Sequence, residues 1–287
     1  MKVIVRVSQG LANRMFQVAF ALGISDKYNV KIDYIRKKKF AHEDIDMFKV
    51  FKNLHIEEAT SYEIRELCGE DTFFNKILRR FPFISKSVIY PFDVPYIAER
   101  LQWKRDVYLI GTFQSEQFFY GIKNKIKKIF EFPQLEDDIN IAFGNALSKE
   151  NSVAIHVRKG QDYMKDILQN TCDVMYYEKS IQYIREHVEA PRFYVFTDNK
   201  EWVKDNLKGF KYEIIDWNPT AGPKNYLDMQ LMSLAKHNII ANSTYSWWSA
   251  WLNNNKDKIV VAPLHWYNPK MKNLQNLGIV PQNWIKL

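Results

Sequence analysis

Two short segments carry residue types suited to holding a diphosphate. The first is Ala241-Asn242-Ser243-Thr244-Tyr245-Ser246-Trp247-Trp248, led in by Ile239 and Ile240. A buried strand that ends in a hydroxyl-rich turn and opens a helix gathers free backbone N–H groups, hydroxyls and the positive end of the helix dipole at one point. Such a point favours phosphate, and with it a nucleotide. The plainer alternative is an ordinary capped helix packed by Trp247, Trp248 and Trp251. The second segment, 152–158, is an apolar run that ends in His156-Val157-Arg158, followed by Lys159-Gly160-Gln161-Asp162. In a strand His156 and Arg158 point the same way, so both face one site at the strand's C-terminal edge, where open parallel sheets bind ligands. Arginine offers a planar, permanently charged fork that fits a diphosphate. Gly160 permits a sharp turn and Asp162 adds a carboxylate. Singly, His156 reads as a core histidine and Arg158 as a surface charge; together, before a glycine and an acid, they read as a site.

The elements that must position these residues follow from hydrophobic period and caps. Strand 3–7 leads through Ser8-Gln9-Gly10 into a helix from about Ala12, with Leu11, Met15, Val18 and Leu22 on one face. Strand 31–35 follows. The stretch 40–105 is irregular, with Phe81-Pro82-Phe83 and Tyr90-Pro91-Phe92, and reads as an insert on the acceptor side. Strand 107–111 and a helix over 115–130 end at Phe132-Pro133-Gln134. The second half alternates regularly. It has strands 152–158, 193–197, 212–215, 238–241 and 258–262, with helices near 174–188, 200–207, after Pro223 and over the tryptophans. Alternation of this kind predicts α/β architecture on parallel sheets. The expected organisation is an N-terminal domain 1–135, a linker 136–149 and a nucleotide-binding domain 150–287.

Three segments together resemble glycosyltransferase family 11, the α-1,2-fucosyltransferases, of bacterial type. They are Gln9-Gly10-Leu11-Ala12-Asn13-Arg14-Met15-Phe16-Gln17, His156-Val157-Arg158-Lys159-Gly160, and the stretch from His237 through Ser243-Thr244-Tyr245-Ser246-Trp247-Trp248. A weaker fourth match runs from Tyr108 through Gly111-Thr112-Phe113-Gln114-Ser115-Glu116. Ala12 stands where the family has glycine, Lys159 where it has a second arginine, and Gln161 is inserted before Asp162. The resemblance implies a GT-B-like fold, with two Rossmann-like domains facing across a cleft. It implies inverting, metal-independent transfer of L-fucose from GDP-fucose to a galactose-type hydroxyl of a glycan in α-1,2 linkage, with no cofactor.

On this reading Arg158 holds the β-phosphate, Ser243, Thr244 and Ser246 hold phosphate oxygens, and Asn242 belongs to the GDP-binding set. His156 and Asp198 lie nearest the nucleoside, and His237 belongs to the same GDP-binding set. Asn13 and Arg14 reach sugar or phosphate from the N-terminal side, Asn13 as a catalytic group with Arg158 and Asp162. The base that takes the acceptor's proton stays open among Asp162, Glu116 and His42. Asp44-Ile45-Asp46 has the letters of a metal-binding pair but no strand end to hold it.

Composition sets the remaining bounds. The 287 residues are 46% hydrophobic and 26% charged, an ordinary globular balance for a chain long enough for two domains. No apolar run approaches the ~20 residues of a membrane span. Cys68 and Cys172 lack metal-ligand spacing and read as reduced thiols, and 1–7 reads as a strand; both point to a bacterial-type cytoplasmic enzyme. The net charge of +8 favours anionic partners. Basic clusters at 36–39 and 123–128 read as solvated faces, or as attraction to the anionic inner face of the membrane, where a lipid-linked glycan acceptor would sit. Nucleic-acid binding is disfavoured by the lack of any helix-turn-helix, RNP or zinc spacing. A non-catalytic glycan-binding relative is disfavoured because it has no use for a diphosphate site.

Overall fold

The structure, a computed structural model, describes residues 1–36, 43–69, 87–89, 101–160, 168–271 and 278–287. The chain divides into two compact units, Met1–Glu131 with Asn276–Ile279, and Phe132–Gln275 with Val280–Leu287. Gly278 joins the first unit by accepting a hydrogen bond from Ser115 Oγ at 2.9 Å.

The first unit is built on four parallel strands in the order β2-β1-β4-β3. β1 (Lys2–Val7) is central, and its Val3, Ile4, Val5 and Val7 are fully buried, as a strand covered on both faces requires. β2 (Asn29–Tyr34) and β4 (Val107–Leu109) flank it, and β3 (Val88–Ile89) lies outside β4. α1 (Leu11–Gly23) is buried on nearly all sides, because it packs on the sheet and also against a 3-10 helix, Glu116–Ile122. That approach needs glycine at position 23: an added methyl would sit 2.1 Å from the Phe118 carbonyl oxygen. The single helix expected over 115–130 is broken. The 3-10 turn gives way at Phe119, whose backbone is non-helical, to α4 (Lys123–Ile129). Packing decides this, since Phe119 is buried and Phe118 sets its ring edge-on to Phe20 at 5.2 Å.

Within the stretch expected to be irregular, the described residues form two helices. α2 (Met47–Val50) is capped by Asp46, which accepts from the Phe48 N–H. α3 (Ser61–Cys68) opens on a Thr60/Glu63 capping box. Its Ile64, Leu67 and Cys68 pack on the sheet face that carries Ile4 and Tyr108.

The second unit holds six parallel strands in the order β10-β9-β8-β5-β6-β7. They are β5 (Ser152–Val157), β6 (Arg192–Thr197), β7 (Tyr212–Ile215), β8 (His237–Ile239), β9 (Val260–Ala262) and β10 (Ile285–Lys286). The chain starts at the centre with β5 and moves outward through β6 and β7. It then returns to place β8 on the other side of β5. This is a doubly wound sheet, with its topological switch point between β5 and β8.

The stretch 136–149, expected to link two domains, instead folds inside this unit as α5 (Asp138–Lys149). It is held there by buried Leu147 and by Asn140, which exchanges hydrogen bonds with Asn218 and accepts one from the Trp217 indole. Val153, Ile155 and Val157 pack against Tyr176, Tyr177 and Ile184 of α6 (Val174–His187) and Val203 of α7 (Lys200–Asn206). Ala154 faces the other way, toward Leu147 of α5 and Leu231 and Met232 of α8 (Leu227–Leu234). Strand alternation therefore sends His156 to the α5–α8 face and aims Arg158 the same way. α9 (Thr244–Leu252) is anchored by fully buried Trp247 and Trp248 and by stacking of Trp251 on Trp247.

Candidate active site

The switch point brings the two sequence segments together. β5 ends in His156-Val157-Arg158 beside the chain that leaves β8 through Ala241-Asn242-Ser243. Two tyrosines of α6 hold both strand ends: Tyr177 donates to the His156 carbonyl at 3.0 Å, and Tyr176 to the Ile240 carbonyl at 2.6 Å. His156 Nδ1 and Ser246 Oγ, 2.9 Å apart, join the segments directly.

α9 opens on an exposed edge with unused donors. Ser243 stands at its N-cap in extended backbone, yet its hydroxyl caps nothing. Ser243 and Thr244 are half-buried, and neither hydroxyl has a partner among the described residues. Hydroxyls, first-turn N–H groups and the dipole thus remain available to an anion.

The rest of the turn is scaffold. The Asn242 side chain is buried: its amide donates to the Trp266 and Leu168 carbonyls at 2.8 and 3.1 Å, and its oxygen accepts from Cys172 Sγ at 3.4 Å. Ser246 is fully buried, engaged with His156 and with the turn's own carbonyls. Ser246 was expected to hold a phosphate oxygen and Asn242 to belong to the GDP-binding set; here both side chains shape the turn that presents Ser243 and Thr244.

His156 is a turn anchor in the same sense. Burial, reinforced by the Arg158 charge, pushes its imidazole down to about 3. It stays neutral at any working pH and is unsuited to shuttling a proton.

Arg158 is one-third exposed, and its Nη1 pairs with Asp198 Oδ2 at 3.0 Å. The same carboxylate accepts the backbone N–H of Lys159 at 2.7 Å and of Gly160 at 3.0 Å. Three donors converge on Asp198, so it clamps the turn after β5 and orients the guanidinium. A carboxylate has about four lone-pair sites, so these three donors leave one for the nucleoside contact expected of Asp198. Asn199 adds a fourth tie, donating to the Lys159 carbonyl at 3.2 Å.

Two expected site residues are placed elsewhere. His237 begins β8 opposite Val153, at the N-terminal edge of the sheet. Its Nδ1 accepts the Ile259 N–H at 3.0 Å, so it splices β8 to the following strand's approach. Arg14 is 2% exposed and donates to Tyr34 and to the Ile45 and Glu43 carbonyls, with its guanidinium 5.1 Å from the Tyr34 ring centre. It staples the segment before α2. Asn13 sits at the switch point of the first sheet, between β1 and β4, where it donates to Gln9 Oε1 and accepts from Gln114 Nε2. Glu116 is buried and paired with Lys123 at 2.8 Å. Asp162 and His42 lie outside the described residues.

Sequence reading passed over Asp228, in the first turn of α8. Burial pushes its carboxyl up to about 6 against the opposing hydrogen bond from Asn218. Burial, with the Asp228 charge adding to it, raises the neighbouring Tyr245 phenol, whose hydroxyl donates to the Asn225 carbonyl and accepts the Met229 N–H. A perturbed acid at the ligand edge of a parallel sheet marks functional ground. In the sequence it shows only as a helix-opening acid, an ordinary dipole-matching feature.

Comparison with known proteins places the chain in a family. The family described as "Glycosyl transferase family 11" matches residues 95–287. An alpha-1,2-colitosyltransferase of Escherichia coli is 30% identical over 99% of this chain and 98% of its own. The O-antigen biosynthesis glycosyltransferase WbnK, also of Escherichia coli, is 32% identical over 66% of this chain and 63% of its own. Among solved structures, a mutant of Arabidopsis thaliana FUT1 in complex with GDP superposes with a TM-score of 0.52 at 13% identity, covering 92% of this chain and 70% of that one. That likeness concerns the fold, which is GT-B-like. The chain is a glycosyltransferase and belongs to glycosyl transferase family 11.

Proposed function

We propose that the protein transfers L-fucose from GDP-fucose to the 2-hydroxyl of a galactose-type unit in a glycan, with inversion and without metal. The observation that carries this reading is the pairing, at one switch point, of a clamped arginine with a helix N-terminus whose donors no side chain takes. Glycosyl transfer breaks a bond to a diphosphate, so negative charge grows on departing GDP. Fixed donors aimed there do the work that a divalent cation does elsewhere. Arg158 takes the β-phosphate, while Ser243, Thr244 and the first N–H groups of α9 take the remaining oxygens. GDP-fucose is β-linked and the proposed product α-linked, so one in-line displacement suffices and no enzyme nucleophile is needed. The acceptor's hydroxyl proton leaves as its oxygen bonds to the sugar, with Asp162 the favoured base.

Calorimetry tests the donor site. GDP should bind equally well with and without EDTA. Tight UDP binding with none for GDP would sink the assignment, and loss of GDP binding in EDTA would sink metal independence.

A second reading, transfer of colitose, is favoured by the full-length likeness to a colitosyltransferase. Colitose is fucose without its 3-hydroxyl. A site built to bond that hydroxyl would reject the deoxy sugar strongly, so competition between the two GDP-sugars separates the readings.

We further propose that the acceptor is lipid-linked and that the protein meets it at the cytoplasmic face of an anionic membrane. No helix among the described residues is long and apolar enough to cross a membrane. On α4, Lys125 and Lys128 are exposed, whereas Lys123 is paired with Glu116 and Lys127 is half-buried. Each exposed lysine near such a surface contributes about 1 kcal/mol. Replacing Lys125 and Lys128 by glutamate should weaken cosedimentation with phosphatidylglycerol vesicles; unchanged sedimentation would dismiss this helix as the contact.

A further inference from the structure

We propose that Arg6, Asp33 and Tyr108, at the C-terminal edge of the first unit's sheet, form a subsite for a neutral, hydroxyl-bearing ligand: a sugar ring of the acceptor glycan. The inference rests on the transferase reading and adds where this unit grips the acceptor.

Arg6 and Asp33 are register partners on adjacent parallel strands, β1 and β2, about 4.8 Å apart. Opposite charges so placed would ordinarily pair. Their neighbours on the same face do: Lys31 bonds Glu57 at 2.7 Å and Glu63 at 2.9 Å, and Lys2 reaches Glu63 at 3.4 Å. Arg6 and Asp33 do not. Among the described residues the Arg6 guanidinium has no hydrogen bond or ion pair. Among the described residues Asp33 has one side-chain partner, the Tyr108 hydroxyl, which reaches over β1 from β4 and donates to Oδ2.

Burial and the Asp33 charge raise the Tyr108 phenol, so it remains a donor and fixes the rotation of the carboxylate. The second carboxylate oxygen is left without a partner. Arg6 and Asp33 are both half-buried, so each has lost part of its water without gaining a salt bridge. This face is opposite the one that carries Val3, Val5 and Val7, and it lies at the edge where parallel sheets take ligands.

The pair of charges selects the ligand. An anion would suit Arg6 and be repelled by Asp33; a cation would meet the reverse. A vicinal diol satisfies both, one hydroxyl donating to the carboxylate while a second oxygen accepts from the fork.

The test uses the full chain saturated with GDP and two probes, methyl β-D-galactoside and lactose, followed by saturation-transfer NMR. The wild type should bind both sugars. Asp33→Asn and Arg6→Gln should each weaken binding roughly 10-fold or more, the change expected for a lost charge-assisted hydrogen bond, and raise KM for lactose in parallel. GDP affinity and the melting midpoint should hold. Equal sugar binding by wild type and variants, or no binding by the wild type, overturns the subsite. So does sulfate binding that depends on Arg6. Should Asp33→Asn fail to fold, Arg6→Gln on the half-exposed strand end carries the test. The two readings fail separately. A wild type that binds galactosides through Arg6 and Asp33 yet transfers no fucose refutes the transferase reading alone. One that transfers fucose with KM unchanged in both variants refutes the subsite alone.

Discussion

Arg158→Ala should lower turnover by ~10²–10³-fold, the scale on which a fixed donor to a developing oxyanion acts. The guanidinium is held by Asp198 at 3.0 Å before any ligand arrives, so little reorganisation accompanies departure of the diphosphate. The variant should melt near the wild-type temperature, because the side chain is one-third exposed and an ion pair at that exposure adds little to stability. Arg158→Lys should also be poor, since an ammonium cannot reproduce a planar fork. Steady-state kinetics with saturating donor decide the matter: near-normal turnover in the alanine variant would reduce the strand end to structure.

Asp198→Asn should be the next most damaging change to the site. An amide oxygen cannot serve the Lys159 and Gly160 N–H groups and the Arg158 fork as a carboxylate does, and the amide's own N–H groups face those donors. Losing charge-assisted bonds of this kind costs about 1.5–2.5 kcal/mol, or roughly 10–60-fold. The residue acts through Arg158 and the turn, which yields a discriminating readout. A positioning role predicts that affinities for GDP and for inorganic pyrophosphate fall together. Had Asp198 held the nucleoside, GDP affinity would fall while pyrophosphate binding stayed as it was. Calorimetry with both ligands separates the two outcomes.

Much of the fold was legible because parallel strands buried on both faces must be continuously apolar. Runs such as 152–157 and 3–7 announce themselves, and the alternation of strand and helix after 150 predicts the parallel α/β plan, while the strand order is the structure's. The helix over 115–130 was legible only in part. Its period is helical, but burial of Phe119 and the edge-on contact of Phe118 with Phe20 of α1 break it, and nothing local to that stretch encodes α1. The stretch 136–149 has a helical period too. Its assignment to the second unit depends on Asn140 meeting Asn218 and Trp217, which lie 78 and 77 residues away.

For the site, the sequence by itself determined which segments matter: a strand end bearing His156 and Arg158, and a hydroxyl turn opening the tryptophan helix. Residue type and spacing suffice for that, because strand alternation and helix capping are local physics. Only the tertiary structure decided which member of each segment faces a ligand. Ser243 and Thr244 stay open while Asn242 and Ser246, one and two places away, are consumed by partners far along the chain, at Trp266 and His156. His237 and Ser243 share one motif, yet the strand between them puts His237 at the opposite edge of the sheet. Asp198 became a clamp and Arg14 a staple, while Arg6 and Asp33 remained unpaired, for the same reason. A side chain's role depends on which donors and acceptors strand register brings within 3 Å. Register is set by the burial of whole faces, a property of the folded chain that no short stretch of sequence contains.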